Sequence, residues 1–152
     1  MLYVAADGAL TPTLRATETF TPPAPPVCSA AYANTASLWA PNHKFIPITI
    51  LGVTDPEDGP VTPKVLEVKQ DEPVLTTGRD VTSPDAEIQL GSATVRAEQL
   101  DTGNGRVYHL AFQSTNSHGG TCTGEVTVGV PHSLGKGVTA IDDGPLYDST
   151  IP

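Results

Sequence analysis

Seventeen acidic residues against eight basic ones give this 152-residue chain a formal charge of −9, so carboxylates are its main chemical resource. Two stretches gather them. Asp55, Glu57 and Asp58 fall within "TDPEDGP", and Asp71, Glu72, Asp80 and Asp85 lie in or beside "DEPVLTTGRDVTSPD". A hard divalent cation takes about six to eight oxygens converging from carboxylates and loop carbonyls. Two such loops meeting at one end of a β-fold supply that shell, so calcium is the one cofactor to expect. The spacing is not the twelve-residue pattern of an EF-hand. The competing expectation is turn chemistry, with Asp-Pro and Asp-Gly steps whose carboxylates cap nearby N–H groups.

Other chemistry is thinly represented. His43, His109, His118 and His132 show neither H-x-H nor H-E-x-x-H spacing, so a zinc centre has to be assembled from separate strands. His109, opposite in parity to Tyr108 and Leu110, reads as a solvent-facing or pairing residue. No G-x-S-x-G elbow is present, and any acidic fold offers carboxylate pairs by chance. The glycines of "TGNG" and "HGG" fit hairpin turns and lack the strand-to-helix context of a phosphate loop. The expectation is a non-catalytic protein.

Cys28 and Cys122 are 94 positions apart, too far for a metal knuckle. A disulfide between them closes nearly the whole domain, and the chain entropy of such a loop corresponds to about 4–5 kcal/mol. The alternative is two unpaired buried thiols. The disulfide is the expected state, and it places the protein outside the reducing cytosol. The acidic balance repels polyanions, so neither nucleic acid nor an anionic membrane face is an expected partner. No run of about 18 apolar residues is long enough to span a bilayer. The N-terminus lacks the basic-then-apolar signature of an export signal, so the chain is either cytosolic or a segment whose signal lies elsewhere.

These residues have to be positioned by strands. Fourteen Gly, fifteen Pro and abundant Thr and Val disfavour long helices. "TPPAPP" at 21–26 reads as an extended spacer, dividing an N-terminal segment and linker (1–26) from a β-body (27–132) and an irregular tail (133–152) in which Leu146, Tyr147 and Ile151 are available to dock. Within the body, strands are expected at 45–53, 61–70, 106–115 and 121–130, with 86–100 forming two short strands or one with a bulge at Gly91. Tyr108, Leu110 and Phe112 alternate onto one face, as do Val126, Val128 and Val130. About seven strands in two antiparallel sheets result. Trp39, with Asn42 and His43, is expected at a corner just before a strand, the indole covering the open end of the core while its N–H finds a carbonyl. A sugar-stacking role for Trp39 is the sharper alternative.

Together, "CSAAYANTASLWAPNHKFIPITILGVTDPEDGPVT", "QDEPV", "VRAEQLDTGNGRVYHLAFQSTNSHGGTCTGEVTVGVPHS" and "DDGPLYDST" resemble an immunoglobulin-like domain found near the C-termini of large bacterial surface and secreted proteins. That domain is akin to the HYR and PKD-like extracellular repeats, in which an "LWPPNHK" type motif opens the second strand. The resemblance covers about residues 27–150. It implies an immunoglobulin-like antiparallel β-sandwich, an extracellular or cell-surface location and a structural or adhesive role without catalysis. Ala40 departs from the motif's first proline, and "TTGRDVTSPD" carries fewer Asp and Gly than the family's acidic loop, which weakens the case for calcium there.

Three functional classes follow. The first is a structural and adhesive module tethered to neighbouring domains through the Pro-rich segment. The second is a filament subunit whose residues 1–20 leave their own domain and add a strand to another copy, with Leu2, Val4, Leu10 and Leu14 filling pockets. The third is a carbohydrate-binding accessory module, for which one Trp, four Tyr and three Phe are few.

Overall fold

The computed structural model describes residues 2–4, 10–12, 19–75 and 82–152. Among these residues the chain is all-β, without a helix. Its strands are β1 (Leu2–Val4), β2 (Leu10–Pro12), β3 (Tyr32–Ala33), β4 (Phe45–Ile48), β5 (Ile50–Leu51), β6 (Thr54–Asp55), β7 (Gly59–Pro60), β8 (Lys64–Gln70), β9 (Ala86–Gln89), β10 (Ser92–Arg96), β11 (Arg106–Thr115), β12 (Thr121–Val130) and β13 (Tyr147–Asp148). All strand pairs are antiparallel. A three-stranded sheet runs β4-β10-β9 and a four-stranded one β12-β11-β8-β13, beside the ribbons β1–β2, β3–β5 and β6–β7.

The alternating runs "RVYHLAFQST" and "TCTGEVTVGV" become β11 and β12 over their whole length. Tyr108 lies opposite Val128 and Leu110 opposite Val126, all of them buried. They join Val65 and Val68 of β8, Ala86 of β9, Ala93 and Val95 of β10, Ile48 and Ile50 in one core cluster. Burying a Leu or Phe of this kind stabilises by about 1.5–3 kcal/mol.

Irregularities in the pattern have local causes. In β8, Val65 and Val68 are both buried although three positions apart. The register against β11 shifts between Ala111 and Phe112, leaving Leu66 exposed, and this bulge restores the inward parity. Of the two readings of 86–100, the paired strands are observed. Leu90 (φ 51°) and Gly91 (φ 83°) join β9 to β10, the two successive positive φ values of a type I′ hairpin. The run 45–53 splits at Thr49, which exchanges bonds with Asn34, so β4 pairs with β10 while β5 pairs with β3.

Both ends of the chain differ from expectation. Residues 133–152, read as an irregular tail, contribute β13 to the main sheet. Ser149 is fully buried, its N–H donating to Val68 and its carbonyl accepting from Asp85 and Ala86. Backbone pairing docks this segment, whereas Leu146, Tyr147 and Ile151 stay exposed. At the N-terminus, expected to be extended, Leu2–Val4 pairs with Leu10–Pro12 as a hairpin, and Leu14 lies outside the described residues.

Candidate functional site

Arg106 opens β11 with the same parity as Tyr108 and Leu110, which turns its guanidinium into the protein, where it is only 1% exposed. The ends of several strands bring carboxylates to it. Its Nε donates to Glu72 Oε2 at 3.0 Å from the loop after β8, and one terminal nitrogen contacts Asp85 Oδ2 at 2.9 Å just before β9. Glu98, beyond β10, is 3.9 Å from the other nitrogen. Arg96 adds a second cation, 3.9 Å from Asp85 and 4.0 Å from Glu98. Three carboxylates thus face two guanidiniums.

Neutral groups complete the shell. Gln70 donates from Nε2 to Asp85 Oδ2 and to the Glu72 carbonyl, both at 2.9 Å. The Leu100 N–H reaches Glu72 Oε2 at 2.9 Å, and the Thr82 hydroxyl donates to Glu98. Tyr108 Oη accepts from Arg106 at 3.1 Å and donates to the Arg96 carbonyl at 2.8 Å.

Burial disfavours charge throughout this cluster. It pushes the Glu72 carboxyl above its ordinary range against the Leu100 N–H and Arg106, and pushes Glu98 up against His43. Burial opposes the Arg106 charge too, but Tyr108, Asp85 and Glu72 more than restore it and the net shift is upward. The Tyr108 hydroxyl is likewise raised by burial, which keeps it a neutral donor. Within the cluster, Gln70 Oε1, Glu72 Oε1 and Asp85 Oδ1 are buried without a hydrogen-bond partner.

The corner residues connect to this network. His43 Nδ1 lies 3.1 Å from Glu98 Oε2, its carbonyl accepts from Arg96 at 3.0 Å, and its backbone is left-handed (φ 61°). Asn42 Oδ1 accepts the Lys44 N–H at 3.1 Å, forming an Asx turn that starts β4. The Arg96 guanidinium stacks 4.1 Å over the Phe45 ring. Trp39 does not cover the core as expected: it is 45% exposed, and its neighbour Leu38, anchored to Gly129, is the buried residue.

The far end of β11 is fastened differently. Cys28 and Cys122 form a disulfide. Asp55 Oδ1 accepts the N–H groups of Glu57 and Asp58 at 2.9 Å each, while Oδ2 accepts from Asn116 at 3.0 Å. Asp58 accepts from the Ser117 N–H at 2.7 Å and from its hydroxyl at 2.9 Å. These bonds hold both carboxyls below the usual range, led by the Asp58 N–H for Asp55 and the Ser117 N–H for Asp58. Ser117 also lies 3.3 Å from His118 Nδ1. Nucleophile activation needs the carboxylate on the histidine, and here it sits on the serine.

Among the described residues the two acidic stretches therefore lie apart, contrary to the shared-shell expectation. Asp55 and Asp58 bond to residues just past the end of β11, whereas Asp71 accepts the Val107 N–H and Glu72 binds Arg106 at its start. The ten residues of β11 separate them by about 30 Å. Glu57 Oε1 accepts the Ala24 N–H and Asp80 lies outside the described residues. Among the described residues no group of three or more His, Cys, Asp or Glu is arranged to hold a metal ion. Comparison with protein-family models, curated proteins and solved structures found no match.

Sequence reasoning named Glu72, Asp85 and His43 for other roles and missed Arg106, Arg96, Glu98 and Gln70 as their partners. One signal was available: Arg106 shares the parity of Tyr108, Leu110 and Phe112, and a charge on the apolar face of a strand demands a buried counter-charge.

Proposed function

We propose that the chain is an immunoglobulin-like β-sandwich acting as a non-catalytic structural or adhesive module outside the reducing cytosol. The observation that carries this reading is the Cys28–Cys122 disulfide, which ties the start of the body to β12 across 94 positions. A bond of that kind persists in oxidising compartments. The two main sheets contribute to a common core, as a sandwich requires. The Arg106 cluster supports the same reading, because its hydrogen bonds cross-brace four strand ends.

The test traps thiols at the moment of lysis. Cells making the protein are lysed into an alkylating agent without reductant, and the intact mass is measured in the extracellular, surface and cytosolic fractions. The protein should appear outside the cytosol with no added alkyl group; a cytosolic protein carrying two would refute the proposal.

A further inference from the structure

His109 faces away from the core on β11 yet is only 6% exposed, because residues of the C-terminal segment lie over it. Its Nδ1 is 2.8 Å from Glu125 Oε1 of β12, and its Nε2 is 2.9 Å from Asp142 Oδ1 of that segment. A neutral imidazole carries one N–H and can donate to one of these oxygens only, whereas the imidazolium donates to both. Both carboxylates are about half exposed. The geometry is that of a cation bridging two anions.

We propose that His109 is a pH-dependent clasp, which as an imidazolium holds the segment from Ser133 to Leu146 across β11 and β12 through Asp142 and loosens it on losing its proton.

The surroundings decide whether the charge is tolerated. From β8, Lys69 lies directly across from His109, but Glu67 holds its ammonium at 3.1 Å, and Asp148 of β13 stands in register on its other side. From β12 come Glu125 and the cross-strand partner Thr127. The segment itself brings Asp142 and Asp143, the latter engaged by Asn104 Nδ2 at 2.9 Å. Carboxylates thus outnumber the single lysine. Burial disfavours the His109 charge, but its bonds to Glu125 and Asp142 outweigh burial and raise its pKa above the ordinary 6.5. The Asp142 carboxyl is lowered against its burial by the Gly144 N–H and by His109.

The sign follows. A histidine whose folded pKa is raised contributes fully below its unfolded value, and that contribution is lost as pH climbs through the folded one. Asp142 contributes above its unfolded value. The clasp therefore holds from about pH 4 to above 6.5 and weakens on the alkaline side. Few other bonds among the described residues tie the segment down: Leu146 N–H to the Gln70 carbonyl at 3.0 Å where it enters β13, and, nearer the clasp, Ile141 N–H to the Asn104 carbonyl at 3.3 Å, Asp143 N–H to Asp71 Oδ2 at 3.3 Å and the Asn104 contact. Beneath it lies a cleft lined by Val107, Thr127, Ala140 and Asp142, which loosening would open.

Magnetic resonance on the full chain tests this. The His109 ring is titrated while amide exchange, corrected for its intrinsic pH dependence, is read at Ile141 and Asp143. Losing one charge-assisted hydrogen bond should lower protection at these two amides about tenfold between pH 5.5 and 9, tracking the ring titration, while Leu110 stays unchanged. Asp142→Asn should lower the His109 midpoint and leave Ile141 weakly protected at both pH values. Glu125→Gln should lower the midpoint while the segment stays docked in acid. Protection that ignores pH in the native chain, or a variant midpoint equal to the native one, overturns the proposal.

Discussion

Replacing Arg106 by Met keeps an unbranched stem about as long as the aliphatic part of the side chain and removes the guanidinium, so it reports what that group does at the start of β11. Breaking a buried ion pair by removing one partner costs about 3–5 kcal/mol, because the remaining charge stays buried. Here Glu72 keeps the Leu100 N–H, Asp85 keeps Gln70, and Arg96 remains 3.9–4.0 Å from Asp85 and Glu98, which places the loss near the lower end, about 3 kcal/mol. Against a total stability of about 5–15 kcal/mol this is severe. With a urea slope of about 2 kcal/mol per molar, the midpoint should fall by about 1.5 M at pH 7. Acid should relieve it. Burial already raises the Glu72 and Glu98 carboxyls above 4.5, and without the guanidinium they rise further. The folded variant then binds more protons than its unfolded chain, so the deficit shrinks as pH falls from 7 towards 4.5. Arg106→Lys keeps the charge but not the fork reaching Glu72, Asp85 and Tyr108, and should fall between the two. Urea melts of the disulfide-intact proteins at pH 7 and 4.5 decide the matter: a deficit under about 1 kcal/mol, or one equal at both pH values, would refute the reasoning.

Two further outcomes follow from the opposite end of β11. Cys28→Ala with Cys122→Ala frees a loop spanning 94 positions and should cost about 4–5 kcal/mol in a urea melt, whereas a loss under about 1 kcal/mol would show that the unfolded chain is already restricted there. Because Asp55 and Asp58 spend their oxygens on Glu57, Asp58, Asn116 and Ser117, and Asp71 and Glu72 lie a strand's length away, calcium added over a chelator should leave the melting temperature unchanged; a rise of several degrees would reveal a site those bonds do not account for.

What the sequence made legible is what periodicity carries. β11 and β12 were readable over their whole length, and the inward valines and aromatics are where parity puts them, although burial at the start of β11 extends to both faces. Parity failed at β8, where the bulge at Leu66 puts Val65 and Val68 on the same side, and at Thr49, where one apolar run serves two partners. A run of apolar residues states that both of its ends are buried, not that they pair with the same strand. The disulfide was readable from cysteine count. The Arg106 cluster was not, because it is assembled from five chain segments whose ends meet only once the sheets have formed. Its acidic members look like turn residues in isolation, and only the arginine, on the wrong face of an apolar strand, marks the place.

That arginine also bears on why one fold is chosen over its near neighbours. Slipping β11 by one position exchanges its faces, so Arg106 would turn outward while Val107 and His109 turned in. The apolar loss would be tempered, since Val107 and Ala111 would replace larger side chains. The electrostatic loss would not: Glu72, Asp85 and Glu98 would stay buried with Arg96 alone, and an imidazolium would enter the core apart from Glu125 and Asp142. Charges that add little to stability when paired become strongly unfavourable when the register is wrong. Alternating Arg106 with His109 along one strand, each matched to carboxylates on its own side, therefore penalises the slipped sheet from both faces.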